Sequence, residues 1–260
     1  MTPPPVGVKS CCAAAYSTSA ARFLLGDSFH PGGSELTSRL IRQLGVRTGS
    51  TVVDVASGLG TSALQLAREL GCDVVGVELS PTNVAAATNA AAEAGLGDQV
   101  RFVVGDAEAL PLEDASVHGG LCECAFCTFP DKDAAAAELA RVLRPGARLA
   151  LADVVAEPER LPAKLLGLAA WVACVADARS ATELGALLAR DGFVIERVDK
   201  HDDAIARLLE RVDARLRTAA LIGRDFPHEA IDEGRELVHA AREALAEGHL
   251  GYASILARRA

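Results

Sequence analysis

A glycine turn and two acidic residues have the types and spacing that could bind a nucleoside. Gly58 and Gly60 form a Gly-x-Gly turn after a short β-branched run, where the absence of a Cβ lets the backbone approach a ligand closely. Glu78 ends the next apolar run and can accept hydrogen bonds from two ribose hydroxyls, while Asp106 ends the third and can receive an adenine amino group. Each feature alone is commonly a turn or a helix cap, but together they predict a ligand site at the strand ends.

Cysteines form the second group with chemical potential. Three of the seven, Cys122, Cys124 and Cys127, fall within six residues. They lack the paired Cys-x-x-Cys repeats or flanking His of a closed zinc site. Cys124 and Cys127 have the spacing of a thioredoxin-like disulfide, although no helix clearly begins after the first thiol. Cys72 is interpreted as apolar filler, and Cys122 stays open between filler and pocket wall.

The elements that position these residues alternate between strand and helix. Short β-branched runs predict buried parallel strands, and the longer amphipathic or Ala-rich stretches between them predict helices. The predicted strands cover residues 51–56, 73–78, 100–104, 117–122, 147–154, 193–198 and 251–258. The predicted helices among them cover residues 62–70, 82–94 and 133–142. This alternation predicts the α/β class, with a doubly wound, Rossmann-like sheet of seven strands and helices on both faces.

Helical segments flank the predicted sheet. Residues 1–15 are expected to start irregular, and residues 19–44 to form two helices separated by a Pro- and Gly-rich loop. We therefore expect an N-terminal helical cap over residues 1–45 and a main domain over residues 46–260. Residues 203–246 are expected to form a helical insertion before the last strand, which could cover a pocket or make a homodimer contact.

Composition excludes several classes of function. The chain has 260 residues and a net charge of −9, which argues against binding to nucleic acid or to an anionic membrane surface. An aromatic content of 4% argues against a base-stacking platform. No apolar run reaches the length of a membrane span, and no basic segment followed by an apolar run opens the sequence. We expect reduced thiols and a cytoplasmic protein whose partner is a small molecule.

Residues 51–154 resemble the class I S-adenosylmethionine-dependent methyltransferases. The family motif is a strand ending in an acid, here Asp54, followed by Gly58 and Gly60, although a further family glycine is replaced by Ala56. The resemblance implies S-adenosyl-L-methionine as cofactor and an antiparallel seventh strand. The residues implied in cofactor binding are Asp54, Ser57, Gly58, Gly60, Glu78, Leu79, Asp106, Ala107 and Glu123. A nicotinamide dehydrogenase is the competing interpretation, but its fingerprint needs a third glycine after Gly60, where only Ala63 is offered.

Within that class, residues 118–132 resemble the arsenite methyltransferases. Aligning on Asp131-Lys132 places the family's essential cysteine on Cys124, and a second one after the fifth strand on Cys174. A third family cysteine lies upstream of the glycine loop, where this chain has Cys11 and Cys12. The resemblance implies that Cys124 and Cys174 are catalytic and that, with Cys12, they hold trivalent arsenic as substrate. Thiolates suit this soft metalloid, and in-line displacement mainly requires positioning.

Two alternatives to arsenite methylation stay open: an organic acceptor and a non-catalytic role. A small organic acceptor would make His30 and His118 candidate bases, and Tyr16, Phe23 and Phe29 could fold with His30 over the donor as a lid. The chain could also be a metalloid-binding protein without catalysis. Lys132 would help to keep thiols deprotonated if its ammonium faced them.

Overall fold

The computed structural model describes residues 7–26, 29–167, 175–222 and 227–260. Its strands form one sheet in the order β3-β2-β1-β4-β5-β7-β6. β7 is antiparallel to β5 and β6, and the pairs among β1 to β5 are parallel. The strands are β1 (Thr51–Val55), β2 (Asp73–Glu78), β3 (Val100–Val104), β4 (Val117–Glu123), β5 (Leu143–Ala156), β6 (Phe193–Lys200) and β7 (Leu250–Arg259). The predicted seven-stranded α/β fold is confirmed, including its antiparallel last strand.

Helices lie in the cap, between the strands and in the insertion. They are α1 (Val8–Tyr16), α2 (Ser19–Leu25), α3 (Gly33–Leu44), α4 (Thr61–Leu70), α5 (Pro81–Glu93), α6 (Lys132–Val142), α7 (Ala181–Arg190), α8 (Asp202–Ile222) and α9 (His228–Ala246). Helix α1 begins at Val8, so residues 8–15 are helical and not irregular, and the expected irregular start falls mainly on residues 1–6, which lie outside the described residues. Its Ala- and Cys-rich stretch has no β-branched run or proline to oppose a helix.

The fifth strand begins earlier than the sequence predicts. Helix α6 ends at Val142, and the chain passes directly into β5. Leu143 pairs with Val117, and the register then shifts between Val117 and Gly119. The Pro145-Gly146 pair therefore ends the helix as predicted but lies inside an irregular strand, since a bulge tolerates both residues.

Apolar side chains alternate between the two faces of the sheet. Val52 and Val74 pack on the face covered by α3, α4 and α9, whereas Val53 and Val75 pack on the face covered by α6 and α7. Because both faces of the sheet are buried, the strands appear in the sequence as continuous apolar runs. Helix α3 of the cap contributes Leu40 to the first of these cores.

The helical insertion supports the cap. Leu216 of α8 and Ile231 of α9 form a small core with Phe23 and Leu24 of α2. Arg215 also donates a hydrogen bond to the Leu24 carbonyl at 2.9 Å. The predicted insertion thus braces the N-terminal helices. Among the described residues, no helix combines the length and apolarity needed to cross a membrane.

Candidate active site

A cleft opens at the carboxyl ends of β1 to β4, between the sheet and the N-terminal helices. Strand order reverses between β1 and β4, which is where open α/β sheets bind ligands. The predicted cofactor-binding residues that line it are Asp54, Ser57, Gly58, Glu78, Leu79, Asp106, Ala107 and Glu123. Cys12 and Cys124 line the same cleft, and Gly60 is not part of its wall. We call it the donor cleft.

The two glycines of the turn have different structural roles. Both have positive φ, 53° at Gly58 and 81° at Gly60. A Cβ on Gly60 would lie 2.5 Å from Phe102 Cζ and 3.0 Å from Ala87 Cβ, whereas one on Gly58 would come only to 3.7 Å from a Phe29 ring atom. Packing therefore excludes a Cβ at Gly60, whereas Gly58 lines the cleft and has room for one. Ala56, at the position of the family's further glycine, also has a positive φ of 58°, which costs about 1–2 kcal/mol for a residue with a Cβ.

Glu78 ties the glycine turn to the second strand. Its Oε2 accepts a hydrogen bond from Gly58 N–H at 3.0 Å, and its Oε1 accepts one from Ser80 N–H at 2.9 Å. The residue is buried, so these amides fix the orientation of the carboxylate. A carboxylate has about four acceptor sites, which leaves about two for ribose hydroxyls.

Asp54 is a buried carboxyl at the end of the first strand. Burial raises its pKa well above the ordinary value of 3.8, and the negative charges of Glu123 and Glu78 raise it further. A hydrogen bond from the Ala63 amide opposes this shift. The carboxyl group consequently favours its neutral form, so it can donate as well as accept a hydrogen bond.

Asp106 is held at the opposite end of the donor cleft by a cation that sequence reasoning missed. Its Oδ1 accepts a hydrogen bond from Glu108 N–H at 2.9 Å, and its Oδ2 accepts one from Lys9 Nζ at 2.7 Å. Lys9 also forms an ion pair with the Glu108 carboxylate. Burial opposes the charge on Lys9, but the hydrogen bonds to both acids raise its pKa. Helix α1 is thereby anchored over the predicted adenine end.

Glu123 connects the cap to the fourth strand. Thr37 Oγ1 lies 3.0 and 3.2 Å from the two carboxylate oxygens of Glu123, and Ser62 Oγ donates to Oε2 at 2.7 Å. His30 Nδ1 is 3.7 Å from Oε1. Sequence reasoning did not identify Thr37 or Ser62, because neither belongs to a motif and α3 is distant from β4 in the chain.

The cysteines divide between the core and the donor cleft. Cys124 is half-buried with a left-handed φ of 53°, and its amide donates to the Ala152 carbonyl at 2.7 Å. Cys12 is buried in the cleft wall. Burial raises the pKa of Cys72 to about 11 and that of Cys122 well above its ordinary value, so both are interpreted as core filler.

The predicted ligand Cys174 lies outside the described residues. Within the described part of the chain, no group of three or more His, Cys, Asp or Glu side chains is arranged to hold a metal ion. This finding applies to Cys12 and Cys124, which are described, but not to Cys174, the third predicted ligand. It gives no support to a zinc site among the clustered cysteines of β4.

Two further candidate residues near the cysteines, Lys132 and His118, have structural roles. Lys132 is buried, and its ammonium donates to the carbonyls of Cys127 and Phe129, each at 3.0 Å, and pairs with Asp177. It therefore closes the loop before α6 and does not line the donor cleft. His118 Nδ1 accepts a hydrogen bond from Thr51 N–H at 3.1 Å, at the start of the strands. That position removes His118 as a base for an acceptor bound in this cleft.

Unpartnered polar atoms show that the donor cleft is built for a polar ligand. In the described residues, four buried side-chain atoms lack a hydrogen-bond partner: His30 Nδ1, Asp54 Oδ2, Ser57 Oγ and Asn83 Oδ1. All four residues line this cleft. Since an unsatisfied buried polar group costs about 1–3 kcal/mol, a ligand rich in donors and acceptors would relieve several such costs. The ribose, adenine and amino-acid groups of S-adenosylmethionine fit this set.

Comparison with known proteins gives the family. A model described as "Methyltransferase domain" matches residues 53–151. O-methyltransferase resE of Aspergillus sclerotiorum is 30% identical over 230 residues, which covers 86% of this chain and 82% of that protein. An arsenite methyltransferase of Halobacterium salinarum is 32% identical over 164 residues, covering 60% of this chain but 40% of that protein. Several other curated relatives match over only 36–58% of their own length.

A solved structure supports the same fold. Phosphoethanolamine N-methyltransferase 2 of Haemonchus contortus, in complex with S-adenosyl-L-methionine, superposes with a TM-score of 0.82 at 19% identity. The match covers 98% of this chain and 60% of that one. The relatives differ in the acceptors that their names give, so arsenite is one among several. The chain belongs to the S-adenosylmethionine-dependent methyltransferases, and S-adenosyl-L-methionine is its cofactor.

Proposed function

We propose that this enzyme methylates trivalent arsenic held by cysteine thiolates. One observation carries the proposal: Cys12 of α1 and Cys124 at the end of β4 line the same cleft as the donor-binding residues. They lie far apart in the sequence, so the fold, and not a local motif, brings both into one wall. The other described buried thiols, Cys72, Cys122 and Cys127, belong to the hydrophobic cores.

The chemistry of the acceptor suits this arrangement. Trivalent arsenic is soft and binds thiolates in preference to hard oxygen ligands. S-adenosylmethionine supplies a methyl group activated by its sulfonium. The left-handed backbone at Cys124 is a costly conformation, and a hydrogen bond from its N–H to the Ala152 carbonyl holds it. Such strain is typical of functional positions. The arsenite methyltransferase of Halobacterium salinarum is a relative with the proposed activity.

A small organic acceptor is the second candidate. The rings of Tyr16 and Phe29 lie 5.7 Å apart and, with Phe129, line the donor cleft. An aromatic wall of this kind suits an apolar acceptor. Relatives named for sterol, quinone and O-methylation act on organic molecules. His30 is then the candidate base, since it is buried in the same cleft.

The adjacent cysteines of α1 offer a matched test. Cys12 is buried in the cleft wall, whereas Cys11 is exposed. Purified protein is incubated with arsenite, glutathione and S-adenosylmethionine, and methylated arsenic is measured by mass spectrometry. We expect Cys12→Ser and Cys124→Ser to lower the rate about 100-fold or more, because oxygen replaces a soft ligand. Cys11→Ser should keep the wild-type rate.

Donor binding separates the other outcomes. Calorimetry with S-adenosylhomocysteine should give the same affinity for all three variants and the wild type. Undiminished methylation by Cys124→Ser would remove that residue as a ligand. A wild-type protein that binds the donor product but methylates no arsenic would overturn the metalloid proposal in favour of an organic acceptor.

A further inference from the structure

We propose that His30 is the residue that binds the carboxylate of the donor's amino-acid end, paired with Glu123 as the acceptor for its ammonium. The proposal concerns the methyl donor and does not require arsenic as the acceptor. For an organic acceptor it replaces the role of His30 as candidate base. It assigns a role to a side chain that no motif of the chain identifies.

His30 has an unused donor position in the right place. It is 7% exposed, it lines the donor cleft, and its Nδ1 has no hydrogen-bond partner among the described residues. On the other side of the ring, Nε2 lies 3.5 Å from the Thr37 hydroxyl. With a proton on Nδ1, the imidazole can donate into the cleft while Nε2 faces Thr37.

The charge distribution of the cleft leaves one place for a carboxylate. Its buried acids Glu78 and Glu123 would repel a ligand carboxylate. Of the described side chains that line the cleft, Lys9 and His30 are the basic ones. Lys9 is engaged by two acids at the adenine end, so His30 is the remaining basic group near the ends of β1 and β4.

The spacing of His30 and Glu123 matches an amino-acid zwitterion. An amino acid carries its ammonium and its carboxylate on the same carbon, so a complementary site needs an acceptor and a donor side by side. His30 Nδ1 and Glu123 Oε1 are 3.7 Å apart. Contacts from Thr37 and Ser62 hold Glu123 in place, which leaves its remaining acceptor capacity for the ammonium.

Ligands that differ at one group can test this assignment. Calorimetry compares S-adenosylhomocysteine, its decarboxylated analogue and 5′-methylthioadenosine, which lacks the whole amino-acid end. We expect His30→Ala to weaken binding of S-adenosylhomocysteine about tenfold or more, equivalent to about 1.4 kcal/mol, and to leave the other two affinities unchanged. His30→Asn should recover part of the loss, because its amide retains an N–H donor. His239→Ala, an exposed substitution on α9, is the control.

Two outcomes would overturn the proposal. One is an unchanged affinity of His30→Ala for S-adenosylhomocysteine. The other is an equal loss for all three ligands, which would mean that His30 supports the cleft as a whole. If His30→Ala does not fold, the same three ligands are compared with His30→Asn, whose discrimination between S-adenosylhomocysteine and its decarboxylated analogue must then fall. Loss of arsenic methylation alone, with all three affinities intact, would contradict this proposal and not the one on Cys124.

Discussion

The two halves of the donor cleft are built in different ways. At the ends of β1 and β2, Glu78 accepts hydrogen bonds from the backbone amides of Gly58 and Ser80, all within a short stretch of chain. At the end of β4, the neighbours of Glu123 come from the loop before α3, from α3 and from α4. Local sequence therefore determines the first half, and tertiary packing of the cap determines the second.

Removing Glu78 should have the largest effect on the first half. Glu78→Ala leaves two amides without their acceptor and removes the predicted ribose contacts, each a charge-assisted bond worth about 1.5–3 kcal/mol. We expect affinity for S-adenosylhomocysteine to fall about 100-fold or more by calorimetry. The exposed Glu93→Ala on α5 is the control and should bind normally.

The comparison between the halves is tested by measuring the donor affinity of Cys124→Ser and of Glu78→Ala in parallel. The first variant should keep donor affinity, whereas the second should lose it. Equal loss of affinity in both variants would show that the two halves form one cooperative site. Near-normal binding by Glu78→Ala would show that ribose is recognised elsewhere.

The same division explains what could be predicted from the sequence. The strands and the half of the cleft at Glu78 could be predicted because β-branched runs and a Gly-x-Gly turn are local signals. The ion pair of Lys9 with Asp106 joins α1 to the end of β3 and has no local signature. Thr37 likewise reaches Glu123 only after the cap packs on the sheet, and Ser62 of α4 only after β1 pairs with β4.

A second test separates two glycines that the motif treats as equivalent. Gly60→Ala places a Cβ against Phe102 and Ala87 at a positive φ, so we expect the free energy of unfolding to fall by about 2–5 kcal/mol. Gly58→Ala has only the backbone strain, so about 1–2 kcal/mol is expected. Urea unfolding measures both.

Donor affinity should show the opposite order for these glycines. The new methyl group at position 58 would enter the donor cleft, whereas the one at position 60 would lie in the packing between α5 and Phe102. Among folded molecules, Gly58→Ala should therefore weaken binding of S-adenosylhomocysteine more than Gly60→Ala. If Gly60→Ala weakens binding more than Gly58→Ala under conditions where both variants are fully folded, the conformation of the whole turn, and not space in the cleft, controls donor affinity.

The smallest expected effect concerns Asp54, which lies between the two halves. Burial raises its folded-state pKa, and repulsion by Glu123 and Glu78 adds to this, while in the unfolded chain the value returns to about 3.8. The unfolded chain therefore loses this proton at a lower pH than the folded protein does. As a result, the free energy of unfolding falls as pH rises from about 4 towards the folded-state pKa. Asp54→Asn should remove that decline in urea unfolding between pH 4 and 8, because its side chain never ionises. Asp73→Asn, at an exposed position of β2, should keep the decline.

Glu123→Gln tests whether Asp54 joins the two halves electrostatically. Removing the Glu123 charge takes away one of the two repulsions on Asp54, so the pH range of the decline should move downwards. A pH profile for Glu123→Gln identical to that of the wild type would mean that burial alone sets the protonation of Asp54. The two halves would then be adjacent in the cleft without electrostatic coupling between them. A shifted profile would mean that Glu123 at the end of β4 affects the protonation of Asp54 at the end of β1. The contacts from Thr37 and Ser62 that hold Glu123 would then also affect the half of the cleft at Glu78.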